Sequence, residues 1–326
     1  MSGPPDVTSC AMTADGTMIV SACYDFTVNV WDGRSKAERS IMSSGTGAKC
    51  CSVSPDGLTV VSVSEDDTLT VWNGLSGAER FRLTGHSGRA VSSCAVSADS
   101  STIVSASFDK TLKIWDGHNG TERSTLTGHA EALTLCAVSG DGSTIVSASY
   151  GNVLKVWDGR HGVERFSVNH SAGVTDCAVN VDGLTFVAAF YDRALKVYDA
   201  LTGAERFTLN GHDDVVRSCA VSPDGAIIVS GSDDGTLKVW NGLNGTELLS
   251  RRTHASWVSA CALSADGLTI VSVSDDQTVK VWDARTLECL ATLHVDGALE
   301  SCGCTANAEI IVVAGGRGVY FLRLVR

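Results

Sequence analysis

A cysteine returns along this chain about every 42 residues. Eight of the twelve cysteines, Cys10, Cys51, Cys94, Cys136, Cys177, Cys219, Cys261 and Cys302, lie 41, 43, 42, 41, 42, 42 and 41 residues apart. Each stands five residues before an Asp or Asn. Tryptophan keeps the same beat at Trp31, Trp72, Trp115, Trp157, Trp240 and Trp282, with Tyr198 in the open slot. Such a unit is too small to bury both its faces alone, so the chain must stack its copies. Thiols that recur in short apolar stretches read as small core residues. No Cys-x-x-Cys occurs, and Cys302-x-Cys304 lacks the further ligands that tetrahedral zinc needs. No disulfide framework and no metal site are therefore expected. Free, buried thiols suit a reducing compartment, so the expected location is cytoplasmic.

The third unit shows the grammar of the repeat. Val91 to Ser97 reads as a short apolar strand, and Asp99 marks a turn. Ser101 to Ser105 reads as a second strand, followed by a turn at Phe108-Asp109-Lys110. Thr111 to Trp115 alternates as a third strand, and Thr121 to Leu126 forms a fourth after a Gly- and Asn-rich loop. A four-stranded unit of this length is the signature of a propeller blade. Eight sets of the first three strands begin near Val7, Gly47, Arg89, Ala132, Gly173, Val215, Trp257 and Ala298. Only seven fourth strands are legible, starting near Ala37, Ala78, Thr121, Val163, Ala204, Thr246 and Leu287. Phe321, 39 residues after Trp282, stands for the tryptophan of a worn eighth copy. Residues 1–6, with Pro4-Pro5, make a poor outer strand for it. The expectation is eight blades with a weak or three-stranded last one; the alternative is seven. The units run at about 7–42, 47–83, 89–126, 132–168, 173–209, 215–251, 257–293 and 298–326 of a single domain, 1–326.

The motifs are specific: Trp-Asp-Gly at Trp31, Trp115 and Trp157, Trp-Asp-Ala at Trp282, Gly-His at His86, His129 and His212, and Ser-Pro-Asp-Gly at Ser54 and Ser222. Over nearly its whole length the chain resembles the WD40 repeat family. The resemblance implies an all-β closed propeller of four-stranded antiparallel blades around a central channel. It also implies that partners dock where the loops between strands two and three, and between strand four and the next strand one, open on one face. The near-identity of the segments at Thr111, Thr236 and Thr278 is similar to the WD40 arrays of bacterial and fungal multidomain signalling proteins, such as switch ATPases and some protein kinases. That likeness implies a scaffold or sensor role, with two alternatives open: one domain of a larger multidomain protein, or a complete protein.

A Ser, a His and an Asp are the parts of a nucleophilic triad. Here they recur with a Trp as His86, Ser105, Asp109 and Trp115, as His212, Ser230, Asp234 and Trp240, and as His254, Ser272, Asp276 and Trp282. An active site is built once, whereas a set repeated at every period reads as a closed polar network inside each blade. The family uses these residues as such a tetrad. Gly151 and Ala188 break it in units four and five, and unit two has Ser62, Asp66 and Trp72 without a matching His. No Walker loop, His-Glu-x-x-His or Gly-x-Ser-x-Gly is present. The sequons at Asn119, Asn169 and Asn244 fall in turn-like segments and matter only in a secreted chain. No catalytic residue and no cofactor are expected.

Lys plus Arg total 25 against 37 Asp plus Glu, a formal charge of −12. That balance argues against a nucleic-acid partner, which needs a basic stripe. No run approaches a membrane span, and the N-terminal MSGPPDVTSC has no leader character, so no membrane partner is expected. Another protein or a peptide is the expected partner. The Glu-Arg pairs that open the fourth strands, such as Glu79-Arg80 and Glu122-Arg123, read as protection of an outer edge.

Scaffold residues repeat, so binding residues should break the repeat. The residue before the tetrad Asp slot is Tyr24, Glu65, Phe108, Tyr150, Tyr191, Asp233 and Asp275 in units one to seven. At the start of the first strand, Trp257 replaces smaller residues, and Lys49, Arg89, Arg217 and Glu300 supply charge. Aromatics gathered at a channel mouth are the material of protein hot spots, and the acids would favour a basic partner. Two other function classes stay open. In one, a glycan stacks on Tyr24 and Tyr150; in the other, a hydrolase uses a unique polar cluster that the sequence does not display.

Overall fold

The structure, a computed structural model, describes residues 7–23, 25, 27–32, 38–43, 48–64, 66–88, 90–305, 308–315 and 318–324, with the side chains of 38–43 and 321 excepted. Seven four-stranded sheets and one three-stranded sheet, all meanders of consecutive antiparallel strands, follow one another along the chain. The fold is an eight-bladed propeller. The first strands of neighbouring blades touch around the ring and line its inner wall. The ring closes where Ile310, Val312 and Ala314 of blade eight pack on Val7, Cys10, Ile19 and Cys23 of blade one.

The second strands are buried almost throughout, and Thr102–Ser107 and Thr269–Ser274 are buried at every position. Their small and β-branched residues fit a sheet with neighbours on both faces. Full burial of a Val or Ile side chain is worth roughly 1.5–3 kcal/mol. Clusters that draw on two blades, such as Val229, Leu237 and Val239 with Val258, Ile270 and Trp282, therefore hold the ring shut. The alternation expected in the third strand does not give it a wet face. In Leu112–Asp116, the residues Leu112, Lys113, Ile114 and Trp115 are all buried. Lys113 folds its ammonium over Trp115, 5.8 Å from the ring centroid, and reaches Glu122 on the fourth strand at 2.8 Å. Lys155 with Glu164, Lys196 with Glu205 and Lys238 with Glu247 repeat that ion pair. The Arg beside the Glu turns back over the sheet: Arg123 donates to Thr102 Oγ1 at 3.3 Å and to the Ser101 carbonyl at 2.9 Å. The Glu-Arg signature thus does cross-strand work as well as charging the edge.

Blade eight ends at Gly318–Arg323, with no fourth strand among the described residues. The N-terminal residues 1–6, weighed above as its outer strand, lie outside the described residues. Register corrects one expectation. In blade three Trp115 pairs with Ile103, and in blade eight the residue opposite the equivalent Ile311 is Leu322. Leu322, and not Phe321, holds the tryptophan slot, because the turn before this strand is one residue shorter than the repeat. Val313 occupies the serine slot, opposite Tyr320, so blade eight carries no tetrad.

Candidate functional site

The tetrads are closed inside their blades. In blade three the Trp115 indole donates to Ser105 Oγ at 2.9 Å, His86 Nε2 meets the same oxygen at 2.8 Å, and His86 Nδ1 meets Asp109 at 2.9 Å. Blades six and seven repeat this through His212, Ser230, Asp234 and Trp240, and through His254, Ser272, Asp276 and Trp282. The His86, His212 and His254 side chains are at most 1% exposed. Burial pushes His254 down to about 4 in spite of Asp276, so its imidazole is neutral at pH 7. Burial works against the Asp109 carboxylate, but hydrogen bonds from Thr111, the Ser87 amide and His86 hold it at about 2. The tetrad serines Ser105, Ser230 and Ser272 are fully buried, each with its oxygen shared between an indole and an imidazole.

Blades four and five depart from this. His129 meets Ser147 at 2.8 Å, but Gly151 stands in the Asp slot and His129 Nδ1 has no partner. Tyr198 holds the Trp slot of blade five over Ala188, and its hydroxyl has no partner. There His170 lies 3.7 Å from Asp192 and stacks on Phe190 with 3.8 Å between ring centroids.

One backbone bond brings the two sets of sequence candidates together. The amide before each Asp slot donates to the carbonyl just ahead of the first strand: Phe108 to Ala90, Tyr150 to Ala132, Tyr191 to Gly173, Asp233 to Val215 and Asp275 to Trp257. The turn residue and the strand start are thereby pinned side by side at the channel mouth in five successive blades. The next residue but one adopts the left-handed region, as at Lys110 (φ 72°) and Gln277 (φ 66°), and this tightens the turn.

Two adjoining pockets result. A cleft of about 550 Å³ between blades four and five is lined by Tyr150, Asn152, Thr134, Asp176 and Tyr191, with Arg217 of blade six at its side. A second, of about 240 Å³, lies among Arg217, Asp233, Trp257, Ser259, Asp275 and Glu300. Tyr150 is 67% exposed, Tyr191 55% and Trp257 50%. Phe108 stands against Tyr150 with 6.0 Å between ring centroids. Arg217 belongs to both pockets. It grips Asp233 with Nε and Nη2 at 2.8 and 2.7 Å and lies 5.4 Å from the Trp257 ring centroid. Asp275 is exposed and accepts the Ser259 hydroxyl at 3.2 Å. Of the other sequence candidates, Lys49 is half-buried and lines neither pocket. Tyr24, Glu65 and Arg89 lie outside the described residues.

Asp176 was missed. It precedes a repeating cysteine, where the other units carry Ser9, Cys50, Ser93, Leu135, Ser218, Ala260 and Ser301. Ser93 and Ser218 use this position to accept the amide of the next blade's cysteine, Cys136 at 3.3 Å and Cys261 at 3.2 Å. Leu135 cannot do this for Cys177. Asp176 compensates: it accepts the Cys177 amide with one oxygen at 2.8 Å and the Cys219 amide with the other at 2.9 Å. The seam between the inner strands of blades four and five is the loosest of the ring, and the cleft opens there. Burial pushes the Asp176 carboxyl up to about 6, against the pull of the two amides and Ser218. The signal was in the sequence, one residue before each repeating cysteine.

No group of His, Cys, Asp and Glu among the described residues could hold a metal ion, and no helix is long and apolar enough to cross a membrane. The family model described as WD domain, G-beta repeat matches residues 1–32, 39–73, 77–116, 120–158, 163–199, 203–241 and 245–283. The chain belongs to the WD40 repeat family. Its eighth blade, after residue 283, lies outside those matches. Among solved structures, this WD40 chain is similar to the computationally designed Ika8 protein, at 28% identity and a TM-score of 0.87, over 99% of this chain and 98% of that one. No curated protein matches it.

Proposed function

We propose that this WD40 ring is a non-catalytic platform that binds a protein or peptide at the mouth built by blades three to seven. The carrying observation is the gathering of three large exposed aromatics, Tyr150, Tyr191 and Trp257, around two pockets joined by Arg217. Side chains of this kind give affinity by burying large rigid area at low entropic cost. They sit on turns held by a closed scaffold, so little ordering cost falls on binding. A non-enzymatic role is supported by the enclosure of every Ser–His pair inside a blade. We extend the reading to a scaffold or sensor in signalling, in a reducing cytoplasm where twelve unpaired thiols are at home.

The test is paired capture with mass spectrometry. One bait is the native chain, and the other carries Tyr150→Ser, Tyr191→Ser and Trp257→Ala, with folding checked by melting. A partner held by the first and lost by the second supports the mouth. The same partner held equally by both baits moves the site to the rim or the opposite face.

A further inference from the structure

The cleft between blades four and five holds an acid that the scaffold does not neutralise. Asp176 faces it from the inner wall, and its two oxygens accept backbone amides from Cys177 and Cys219. Among the described residues its hydrogen-bonding partners are two amides and a neighbouring serine hydroxyl, with no cationic side chain. The one basic side chain among the described residues that line the cleft, Arg217, already gives its Nε and Nη2 to Asp233. An enclosed carboxylate without a counter-charge is costly, and a ligand cation relieves that cost on binding. Its raised pKa, about 6, reports the same deficit. Tyr150 and Tyr191 stand exposed on the two neighbouring blades that form the cleft, where an aromatic ring can cover an alkyl chain or a cation. Leu135 and Asp176, two of the four residues that depart from serine at this inner position, both line this cleft.

We propose that this cleft seats a primary alkylammonium group, its charge against the Asp176 carboxylate and its alkyl stem between Tyr150 and Tyr191. The proposal rests on the reading of the mouth as a binding face and adds the chemistry of what enters it. An ammonium fits better than a guanidinium. Two amides and the Ser218 hydroxyl already use three of the roughly four acceptor sites of Asp176, and a fork needs two while a compact ammonium can use one. The ammonium takes the remaining acceptor site, and Thr134 and Asn152 add oxygens to the same cleft. The group can come from a lysine of a partner protein or from a free diamine.

The experiment is an NMR titration, read on the tyrosine ring signals, with three capped tripeptides, Gly-Lys-Gly, Gly-Arg-Gly and Gly-norleucine-Gly, and with 1,5-diaminopentane. The lysine peptide is expected to bind at least tenfold tighter than the norleucine and arginine peptides. Asp176→Ser, which installs the residue found at Ser93 and Ser218, is expected to lose that tenfold while the chain still melts cooperatively. Asp176→Asn keeps the shape without the charge and serves if the serine variant does not fold. Diamine binding as tight as that of the lysine peptide identifies a free amine as the ligand; weaker diamine binding identifies a partner's lysine. Equal binding of the lysine and norleucine peptides, or lysine binding unchanged in both Asp176 variants, overturns the proposal. The capture experiment separates the two readings. A partner lost with the aromatic variant but kept by Asp176→Ser sinks the ammonium site alone; a partner kept by both variants sinks the mouth as well.

Discussion

Asp176 accepts the backbone amide of Cys219, one blade further on, at 2.9 Å, and so ties two blades at the inner wall through a carboxylate. Burial raises this group to about 6, so the fold favours its protonated form. On the scale of 1.4 kcal/mol per decade of binding, the ionised form costs the fold about 3 kcal/mol. This cost is absent below pH about 4, grows as pH rises to about 6, and is complete above it. The groups around Asp176 are the thiols of Cys177 and Cys219, which burial keeps neutral, and Arg217, which Asp233 keeps charged. The melting temperature of Asp176→Ser relative to the native chain is therefore expected to rise between pH 4.5 and 7. A difference that stays flat over this range would show that Asp176 remains ionised throughout.

Buried imidazoles act in the opposite direction. Burial lowers His129 and His254 to about 4, so each stabilises the fold while neutral. That stability is lost as pH falls from 6.5 toward 4. His129→Gln is expected to flatten this acid limb of the native chain's stability, measured by denaturant titration at pH 7 and pH 4.5. An acid limb as steep in the variant as in the native chain would contradict the assignment.

Gly151→Asp should repair a blade. Gly151 holds the slot of Asp109, Asp234 and Asp276, the following residue Asn152 has the same left-handed turn (φ 58°), and His129 Nδ1 waits without a partner. A Cβ on Gly151 meets only the flexible Glu131 side chain within 3.6 Å. The new His–Asp bond is expected to add about 1–2 kcal/mol and raise the melting temperature. A slowly exchanging His129 ring proton in the NMR spectrum would accompany it.

The same hydroxyl matters unequally in different blades. Ser105→Ala strands both the Trp115 indole and His86 Nε2, whereas among the described residues Ser62→Ala strands only the Trp72 indole. Unpaired buried groups cost roughly 1–3 kcal/mol each. Denaturant midpoints are expected to fall further for Ser105→Ala, and equal losses would mean that the histidine adds nothing.

Thiol titration tests the reading of the cysteines as reduced core residues. All twelve are free, and Cys289 is the exposed one. Ellman's reagent should react quickly with one thiol in the native chain and with twelve after denaturation. Cys289→Ser should abolish the fast phase.

Much of this was readable one residue at a time. The beat of Cys51, Trp72 and their repeats set the blade length, because each unit must present the same small and large residues to its neighbours. The tetrads were legible because His86, Ser105, Asp109 and Trp115 recur at fixed offsets. Phe321 was misplaced by one residue because a worn copy has no tryptophan to set its frame, and only pairing with the preceding strand locates Leu322.

The sequence by itself determined the repeat, its length and the closed polar networks, since these follow from local patterns that each period restates, while the packing of blade eight on blade one decided for eight blades over seven. The tertiary structure alone decided which irregular residues meet. Leu135 and Asp176 are 41 positions apart in the chain, and Arg217 is 41 further, yet all three line one cleft. A repeat pattern records which positions differ. Which differences become neighbours depends on how closely adjacent blades pack at the inner wall, and that distance is set by the summed fit of side chains from both blades.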